Sequence, residues 1–303
     1  MTRYAVAAAL TAAIVQPPAQ PPATPAPPPD TEIVLASLSA SANGVTVGAL
    51  ANITNSPGYD NQPSFTPDGR SILFTSLRSG SQTDIYRYDI ASRSISQVTD
   101  TRESEYSPTV TPDGGHISVI RVEADGTQRL WRFTMDGRQP EVLLPNVKPV
   151  GYHAWVDDNT LVLFVLGQPA TLQVANVRIG SSDVVVRDIG RSIQRIPSAA
   201  TVSFVAREAA ERQGDPPKLH INELDARTRR ATPLVHAVAG AREADLAWTP
   251  DGTLLMADKN VLYGWRRGDA DWRKLVDLGA MGLRGVSRIA VSPKGDLIAI
   301  VTQ

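Results

Sequence analysis

The sequence predicts an all-β fold, a six-bladed β-propeller made of four-stranded antiparallel blades. Three observations predict it: a turn motif recurs every 43 to 46 residues, each interval holds four short apolar runs, and long helical patterns are missing. Four-stranded repeats of this length are typical of propeller blades, which bury both faces by packing radially against their neighbours. The 22 glycines and 23 prolines lie between the apolar runs, as expected for a chain that turns every few residues.

The recurring motif is a tight turn between the first two strands of each unit. Its four clear copies lie at residues 66–69, 111–114, 249–252 and 292–295. Most copies read Thr-Pro-Asp-Gly, in which proline fixes one φ angle and glycine supplies a left-handed residue. Two degenerate copies are predicted in the long gap, at 154–159 and 196–200, which makes six units. Asn159 replaces the glycine, and we expect it to have a positive φ.

Each unit is predicted to hold four strands, which we call a, b, c and d in chain order. In the first unit they are expected at residues 63–66, 71–76, 84–89 and 95–99. The last unit, 287–302, has room for strands a and b only, whereas 32–39 and 45–54 form a strand pair without a unit of its own. We therefore expect the N-terminal strands to complete the last blade, which closes the ring and removes exposed sheet edges.

Composition excludes several classes of function. Lys plus Arg is 30 and Asp plus Glu is 31, so there is no basic excess to neutralise nucleic-acid phosphates. Cysteine is absent, which excludes disulfides and thiolate chemistry. The sequence has no Gly-x-Ser-x-Gly, His-Glu-x-x-His or phosphate-binding glycine motif. We expect no catalytic residues, no bound metal and no cofactor.

The N-terminal residues are predicted to direct export. Arg3 precedes an apolar run at 5–15, which is too short to cross a hydrocarbon core of ~30 Å and is typical of a signal peptide. We assign residues 1–16 to the signal peptide, leave its cleavage site open, and keep an uncleaved anchor as the alternative. Residues 17–30 are a Pro-rich linker, and 31–303 are assigned to the propeller. A periplasmic or secreted location is expected, with no membrane span.

The first unit carries further motifs around its strands. Ser76-Leu77-Arg78-Ser79-Gly80, Asp84-Ile85-Tyr86 and Val98-Thr99-Asp100 follow the Thr-Pro-Asp-Gly turn. Together they resemble the repeat of TolB-type propellers, a WD40-like repeat also known as PD40, which occurs in prolyl oligopeptidase propellers too. The resemblance covers residues 32–302 and implies a TolB-like six-bladed propeller. TolB has an additional N-terminal α/β domain and binds a peptidoglycan-associated lipoprotein, whereas this sequence is expected to lack that domain.

Polar and aromatic residues just before strand a of several blades are predicted to converge at one mouth of the propeller channel. Such a group can orient a peptide or a small polar ligand, or it can simply cap strand ends and order water. His153 takes the position that proline holds in other units, and a structural hydrogen bond is expected for it. The candidate ligand-binding residues are Tyr59, Asp60, Asn61, Glu105, Tyr106, Tyr152, His153, Glu243, Asp245 and Arg288.

The leading functional hypothesis is an exported, non-catalytic binding propeller of the bacterial envelope, expected to be a monomer. Its partner would be a protein, a peptide or a cell-wall component. The first alternative is a metal-dependent lactonase-type hydrolase, which is disfavoured because tyrosine and arginine dilute the carboxylates at the mouth. The second is a structural subunit of an envelope complex that uses the outer blade surfaces.

Overall fold

The computed structural model describes residues 28–41, 44–78, 80, 82–209 and 217–303. Over these residues the chain forms 25 strands in six antiparallel sheets that follow one another in chain order. The predicted six-bladed β-propeller is confirmed. The predicted signal peptide and most of the predicted Pro-rich linker fall in residues 1–27, outside the described residues. No helix in the described part of the chain is long and apolar enough to cross a membrane.

Five blades are formed from consecutive strands. Blade 1 contains β4 (Asp60–Phe65), β5 (Ser71–Ser76), β6 (Asp84–Asp89) and β7 (Ser94–Gln97). Blade 2 contains β8 (Ser104–Val110), β9 (His116–Val122), β10 (Gln128–Thr134) and β11 (Glu141–Val142). Blade 3 contains β12 (Val150–Trp155), β13 (Thr160–Val165), β14 (Thr171–Asn176) and β15 (Ser181–Arg187). Blade 4 contains β16 (Ile189–Arg195), β17 (Thr201–Glu208), β18 (Lys218–Asp225) and β19 (Arg230–His236). Blade 5 contains β20 (Asp245–Trp248), β21 (Leu254–Asp258), β22 (Val261–Trp265) and β23 (Arg273–Asp277).

Blade 6 joins the two ends of the chain, as predicted. Its strands a and b are β24 (Arg288–Val291) and β25 (Leu297–Thr302), and its strand c is β1 (Glu32–Ser41). β1 pairs with β25 from Glu32 opposite Thr302 to Ser37 opposite Leu297. The outermost position is shared by β2 (Gly44–Val47) and β3 (Ala51–Asn52), which both pair with β1. The ring is therefore closed by hydrogen bonds between N-terminal and C-terminal strands.

Strand b lies deep in each blade because neighbouring blades cover both of its faces. Every residue of β5 is buried, whereas the outermost strand of the same blade, β7, is largely exposed. Burial of such apolar faces stabilises the ring by roughly 25 cal/mol for each Å² removed from water. Two tryptophans of strand a also donate hydrogen bonds to serines on strand b of the preceding blade. Trp155 Nε1 donates to Ser118 Oγ and Trp248 Nε1 donates to Ser203 Oγ, both over 2.9 Å.

The turns between strands a and b adopt the predicted conformation in four blades. Their glycines have left-handed φ angles, at Gly69 (69°), Gly114 (70°), Gly252 (83°) and Gly295 (72°). The expectation for Asn159 is wrong, because this residue does not have a positive φ. The turn in blade 3 keeps the bond from the Val156 N–H to the Thr160 carbonyl, the counterpart of the Thr249 N–H bond to the Thr253 carbonyl in blade 5, and the Asp157 carboxylate accepts from the Asn159 N–H.

Candidate functional site

Strand a of each blade lines the central channel, and in several blades it contains a β-bulge. The pairing between β4 and β5 shifts register between Asn61 and Ser64, and that between β8 and β9 shifts between Tyr106 and Thr109. Gln62 and Ser107 lie in these gaps with left-handed φ angles of 57° and 53°. A bulge bends the strand and redirects a side chain. Here it brings the residue four positions before the turn motif into the channel.

All six blades line one cavity of about 130 Å³ in the channel, and six of the lining residues, one from each blade, are equivalent. All six occupy the same position, four residues before the Thr or Ser of the turn or its equivalent. We call them the channel ring: Gln62, Ser107, Tyr152, Ser192, Asp245 and Arg288.

Three side chains of the channel ring connect neighbouring blades. Each accepts a hydrogen bond from a backbone N–H in strand a of the following blade. The bonds run from Ser107 N to Gln62 Oε1 (2.8 Å), from Leu246 N to Ser192 Oγ (3.1 Å) and from Ile289 N to Asp245 Oδ2 (2.8 Å). These contacts satisfy backbone donors that face the channel, so the ring positions stabilise the wall as well as lining it.

A bridge between opposite blades crosses the channel. Arg288 of blade 6 donates from Nη2 to Tyr152 Oη of blade 3 over 2.8 Å, and its guanidinium carbon lies 5.1 Å from the Tyr152 ring centroid. The bond is charge-assisted, and a cation over an aromatic face is also attractive. Asp245 Oδ1 lies 3.9 Å from Arg288 Nη1, an ion pair without a hydrogen bond.

Tyrosines surround this bridge. Tyr59 and Tyr106 pack edge to face with ring centroids 6.5 Å apart, and Tyr152 packs against Phe164 at 5.7 Å. Burial raises the pKa of Tyr59 to about 12, although the positive charge of Arg288 acts in the opposite direction. Tyr59 therefore stays neutral near pH 7, and its hydroxyl can donate a hydrogen bond. We call Tyr59, Tyr106, Tyr152 and Arg288 together the channel mouth.

The other end of the channel, where strand a turns into strand b, has different chemistry. A cavity of about 550 Å³ opens there, bordered by the prolines of the turns and by Trp248. The turns pack on one another, since a Cβ added to Gly295 would lie 2.7 Å from Pro250 Cδ of the neighbouring blade. We call this end the turn end.

Comparison with known families assigns the chain. Residues 22–183, more than half of the sequence, match the TolB β-propeller domain, PD40. The chain belongs to the TolB β-propeller family. Solved structures share the fold of this TolB-family propeller at identities that show the fold alone. A candidate TolB from Agrobacterium tumefaciens has a TM-score of 0.66 at 16% identity, covering 90% of this chain and 99% of that chain. TolB from Acinetobacter baumannii has 0.56 at 14%, covering 90% and 64%, and an oligogalacturonate lyase in complex with manganese has 0.55 at 17%, covering 90% and 79%.

Relatives match this TolB-family propeller over shorter segments. An uncharacterized protein of Agrobacterium fabrum (strain C58) is 31% identical over 103 residues, which is 32% of this chain and 35% of that protein. The Tol-Pal system protein TolB of Bordetella pertussis is 48% identical over 50 residues, 16% of this chain and 10% of that protein. The matched part of the chain thus spans about a third or less of the length of these relatives.

Six of the ten predicted residues come together at or beside the mouth of the TolB-family channel. Tyr106, Tyr152, Asp245 and Arg288 lie inside strand a rather than before it, because strand a begins earlier than predicted. Tyr59 directly precedes β4. Glu243 is exposed on the rim, with its Oε1 3.4 Å from Arg207 Nη2 and its Oε2 4.0 Å from Arg191 Nε.

Asp60 and Asn61 are buried in the wall of the TolB-family channel. Asp60 forms an ion pair with Arg78, over 2.9 Å between Oδ2 and Nη2, and accepts a hydrogen bond from Ser76 Oγ. Asn61 Nδ2 donates to Thr31 Oγ1 over 3.3 Å. These side chains connect strand a to strand b and to the N-terminal segment.

Glu105 is fully buried near the seam between blades 1 and 2. Its Oε1 accepts a hydrogen bond from Thr101 Oγ1 over 2.7 Å and lies 3.3 Å from Arg121 Nε. Burial raises the pKa of this carboxyl to about 7, and the nearby Asp84 adds to the rise. Glu105 therefore exchanges its proton near neutral pH within the wall.

His153 lines the cavity but its ring is held by the wall. Nε2 lies 2.7 Å from Ser118 Oγ, the same oxygen that accepts from Trp155 Nε1. Burial lowers the pKa of His153 to about 4, so the ring is neutral at pH 7. Its Nδ1, like Ser107 Oγ, has no hydrogen-bond partner among the residues that the structure describes.

Sequence reasoning missed Gln62, Ser107, Arg191 and Ser192, which also line the cavity. Counting four residues back from each turn motif would have identified three of them. The bulges that redirect these side chains leave no comparable signal. Within the described residues, no three His, Cys, Asp or Glu side chains form a group that could hold a metal ion.

Proposed function

We propose that this protein is an exported, non-catalytic binding propeller of the bacterial envelope, which engages a protein, peptide or cell-wall partner through the channel mouth. The observation that carries the proposal is the convergence of all six blades on one cavity lined by Tyr152 and Arg288, with Tyr59 and Tyr106 close to them. Tyrosine and arginine are the residues that most often anchor protein interfaces. Concave sites with a few convergent polar groups are the usual place for ligands.

The envelope location is proposed on two grounds. The sequence predicts a signal peptide at 1–16 and a linker at 17–30, and the Bordetella relative is a Tol-Pal system protein. Cell fractionation of the full chain tests this part. Recovery with a cytoplasmic marker would contradict export.

The test of the mouth is quantitative capture of partners from envelope extract by tagged protein. We expect the double variant Tyr106→Ala, Tyr152→Ala to weaken capture by on the order of a hundredfold, since truncating a central anchor costs ~2 kcal/mol or more. The control Tyr263→Ala removes the same side chain from β22 in blade 5, outside the cavities described above.

A second control replaces Asp68 and Asp113 by alanine at the turn end, which should leave capture unchanged. Thermal melting shows that each variant is folded. If the aspartate pair abolished capture in a folded protein and the tyrosine pair did not, the turn end would be the binding surface and the proposal would be wrong.

A further inference from the structure

The charges that line the channel cavity do not balance. Arg191, Arg288 and Asp245 are its charged residues among those that the structure describes, and His153 is neutral because burial lowers its pKa to about 4. The lining therefore carries one net positive charge. A buried cation that lacks a full set of partners is costly, so the cavity favours a bound anion.

The Arg288 guanidinium has hydrogen-bond donors that are not used within the described residues. Its side chain is only 14% exposed, and a guanidinium carries five N–H donors. Among the described residues its one hydrogen bond goes from Nη2 to Tyr152 Oη. Asp245 does not satisfy the rest, since its Oδ2 accepts from Ile289 N and its Oδ1 is 3.9 Å away. The unused side of the guanidinium can take a carboxylate.

Arg191 provides a second cation at the same cavity. Its nearest acidic oxygen is Oε2 of Glu243, 4.0 Å from Nε, on a side chain that is 55% exposed. Exposed pairs of this kind contribute little, so Arg191 is available to a ligand. The hydroxyl of Tyr59 makes no hydrogen bond within the described residues. The positive charges of Arg288 and Arg191 both act to lower its pKa. Two cations thus face one cavity, and Tyr59 lies near both of them.

We propose that the channel holds one carboxylate group of the partner between Arg288 and Arg191. The inference rests on the proposed function and names the group that enters the channel. A cavity of about 130 Å³ takes one small group, which leaves the rest of the partner on the mouth. A carboxylate cancels the single positive charge, whereas a phosphate monoester, at about −1.5 to −2, would leave an excess of negative charge.

The carboxylate belongs either to an acidic side chain or to a chain end, and simple probes distinguish the two. N-acetylglutamate α-amide offers only the side-chain carboxylate, N-acetylalanine only the terminal one, and N-acetylglutamine α-amide is the neutral match. In calorimetry at low salt we expect at least one acid to bind and the neutral amide not to bind. Equal binding of acid and amide, binding of inorganic phosphate alone, or binding of none of the probes would overturn the inference.

Variants connect the probe to the arginine. Arg288→Gln should weaken acid binding by roughly thirtyfold or more, because it removes one partner of a buried charge pair. The matched control is Arg284→Gln, which removes an exposed arginine shortly before the same strand. If Arg288→Gln does not fold, Arg191→Gln carries the test.

Partner capture separates this inference from the proposed function. If Arg288→Gln and Arg191→Gln capture partners normally while the tyrosine pair does not, the carboxylate inference fails and the mouth remains the binding surface. If the tyrosine pair also captures normally, both fail.

Discussion

The two ends of the channel are built by the same six strands, yet one end repeats and the other does not. At the turn end, Thr66 Oγ1 donates to Asp68 Oδ1 over 2.6 Å, and Thr111 makes the same bond to Asp113 over 2.5 Å. At the mouth end, the six positions of the channel ring hold five different residue types. In four blades the end of strand a is fixed by the same turn with a left-handed glycine. The residue types at its start differ from blade to blade, and this is where the proposed binding surface lies.

The largest effect is expected from removing the N-terminal strands of blade 6. Deleting residues 1–30 should leave a folded protein, since the buried strand positions begin after them. Deleting 1–55 should unfold or aggregate it, because β25 loses the partner strand that contains the buried Ile33 and Leu38. Melting followed by circular dichroism compares the two truncations. Equal melting temperatures would contradict ring closure by the N-terminal strands.

Two glycine substitutions test how tightly the turns of neighbouring blades pack at the turn end. Gly295→Ala should reduce the free energy of unfolding by about 2–3 kcal/mol, because it combines a left-handed φ with a Cβ 2.7 Å from Pro250 Cδ. Gly252→Ala should cost about 1 kcal/mol, since that Cβ would meet nothing within 4 Å. Urea unfolding measures both, and capture should be normal in both folded variants. Similar losses would mean that the turns of neighbouring blades are not tightly packed.

A smaller, pH-dependent effect on the free energy of unfolding is expected from Glu105 in the channel wall. The pKa of Glu105 is raised to about 7 from 4.5, so the folded state holds a proton that the unfolded state releases. Its contribution to stability is fully present below pH ~4.5 and is lost as pH rises through ~7. Glu105→Gln, which remains neutral, should therefore raise the free energy of unfolding at pH 8 by roughly 1–2 kcal/mol and change it little at pH 4.

The control for that prediction is Glu141→Gln, at a carboxyl that is 57% exposed and pairs with Arg132. Because exposed ion pairs contribute little, this substitution should change the free energy of unfolding only slightly. The turn end provides a contrast, because hydrogen bonds from Thr66 and Thr111 lower the pKa values of Asp68 and Asp113 and keep them ionised. A stability that falls equally in wild type and Glu105→Gln between pH 4 and 8 would place the titrating group elsewhere.

The sequence predicted the turn end better than the mouth, and the reason is physical. Proline and glycine have restricted or special φ angles, so Pro67 and Gly69 mark a turn directly. The start of strand a has no such marker. Gln62 and Ser107 take left-handed angles that their residue types do not indicate, and these bulges decide which neighbouring side chain faces the channel.

The positions of the buried carboxylates Asp60 and Glu105 could not be predicted from the sequence either. Asp60 and Glu105 belong to residue types that are mostly exposed, so polarity alone suggested the channel mouth. Their arginine partners, Arg78 and Arg121, come from strand b or just after it. Only the pairing of strands a and b brings them together.

Ring closure also gives the propeller a direction in which it is mechanically weak. Glu32 and Thr302 are paired side by side, and the chain enters the ring at Thr31, whose N–H donates to the Gly58 carbonyl beside Tyr59. A pull on Thr31 against the C-terminal end would therefore peel β1 from β25 one residue pair after another. A pull along the strands would instead load all of these hydrogen bonds together. Tension between the two ends of the paired strands would thus open the ring at a lower force than tension along the strands.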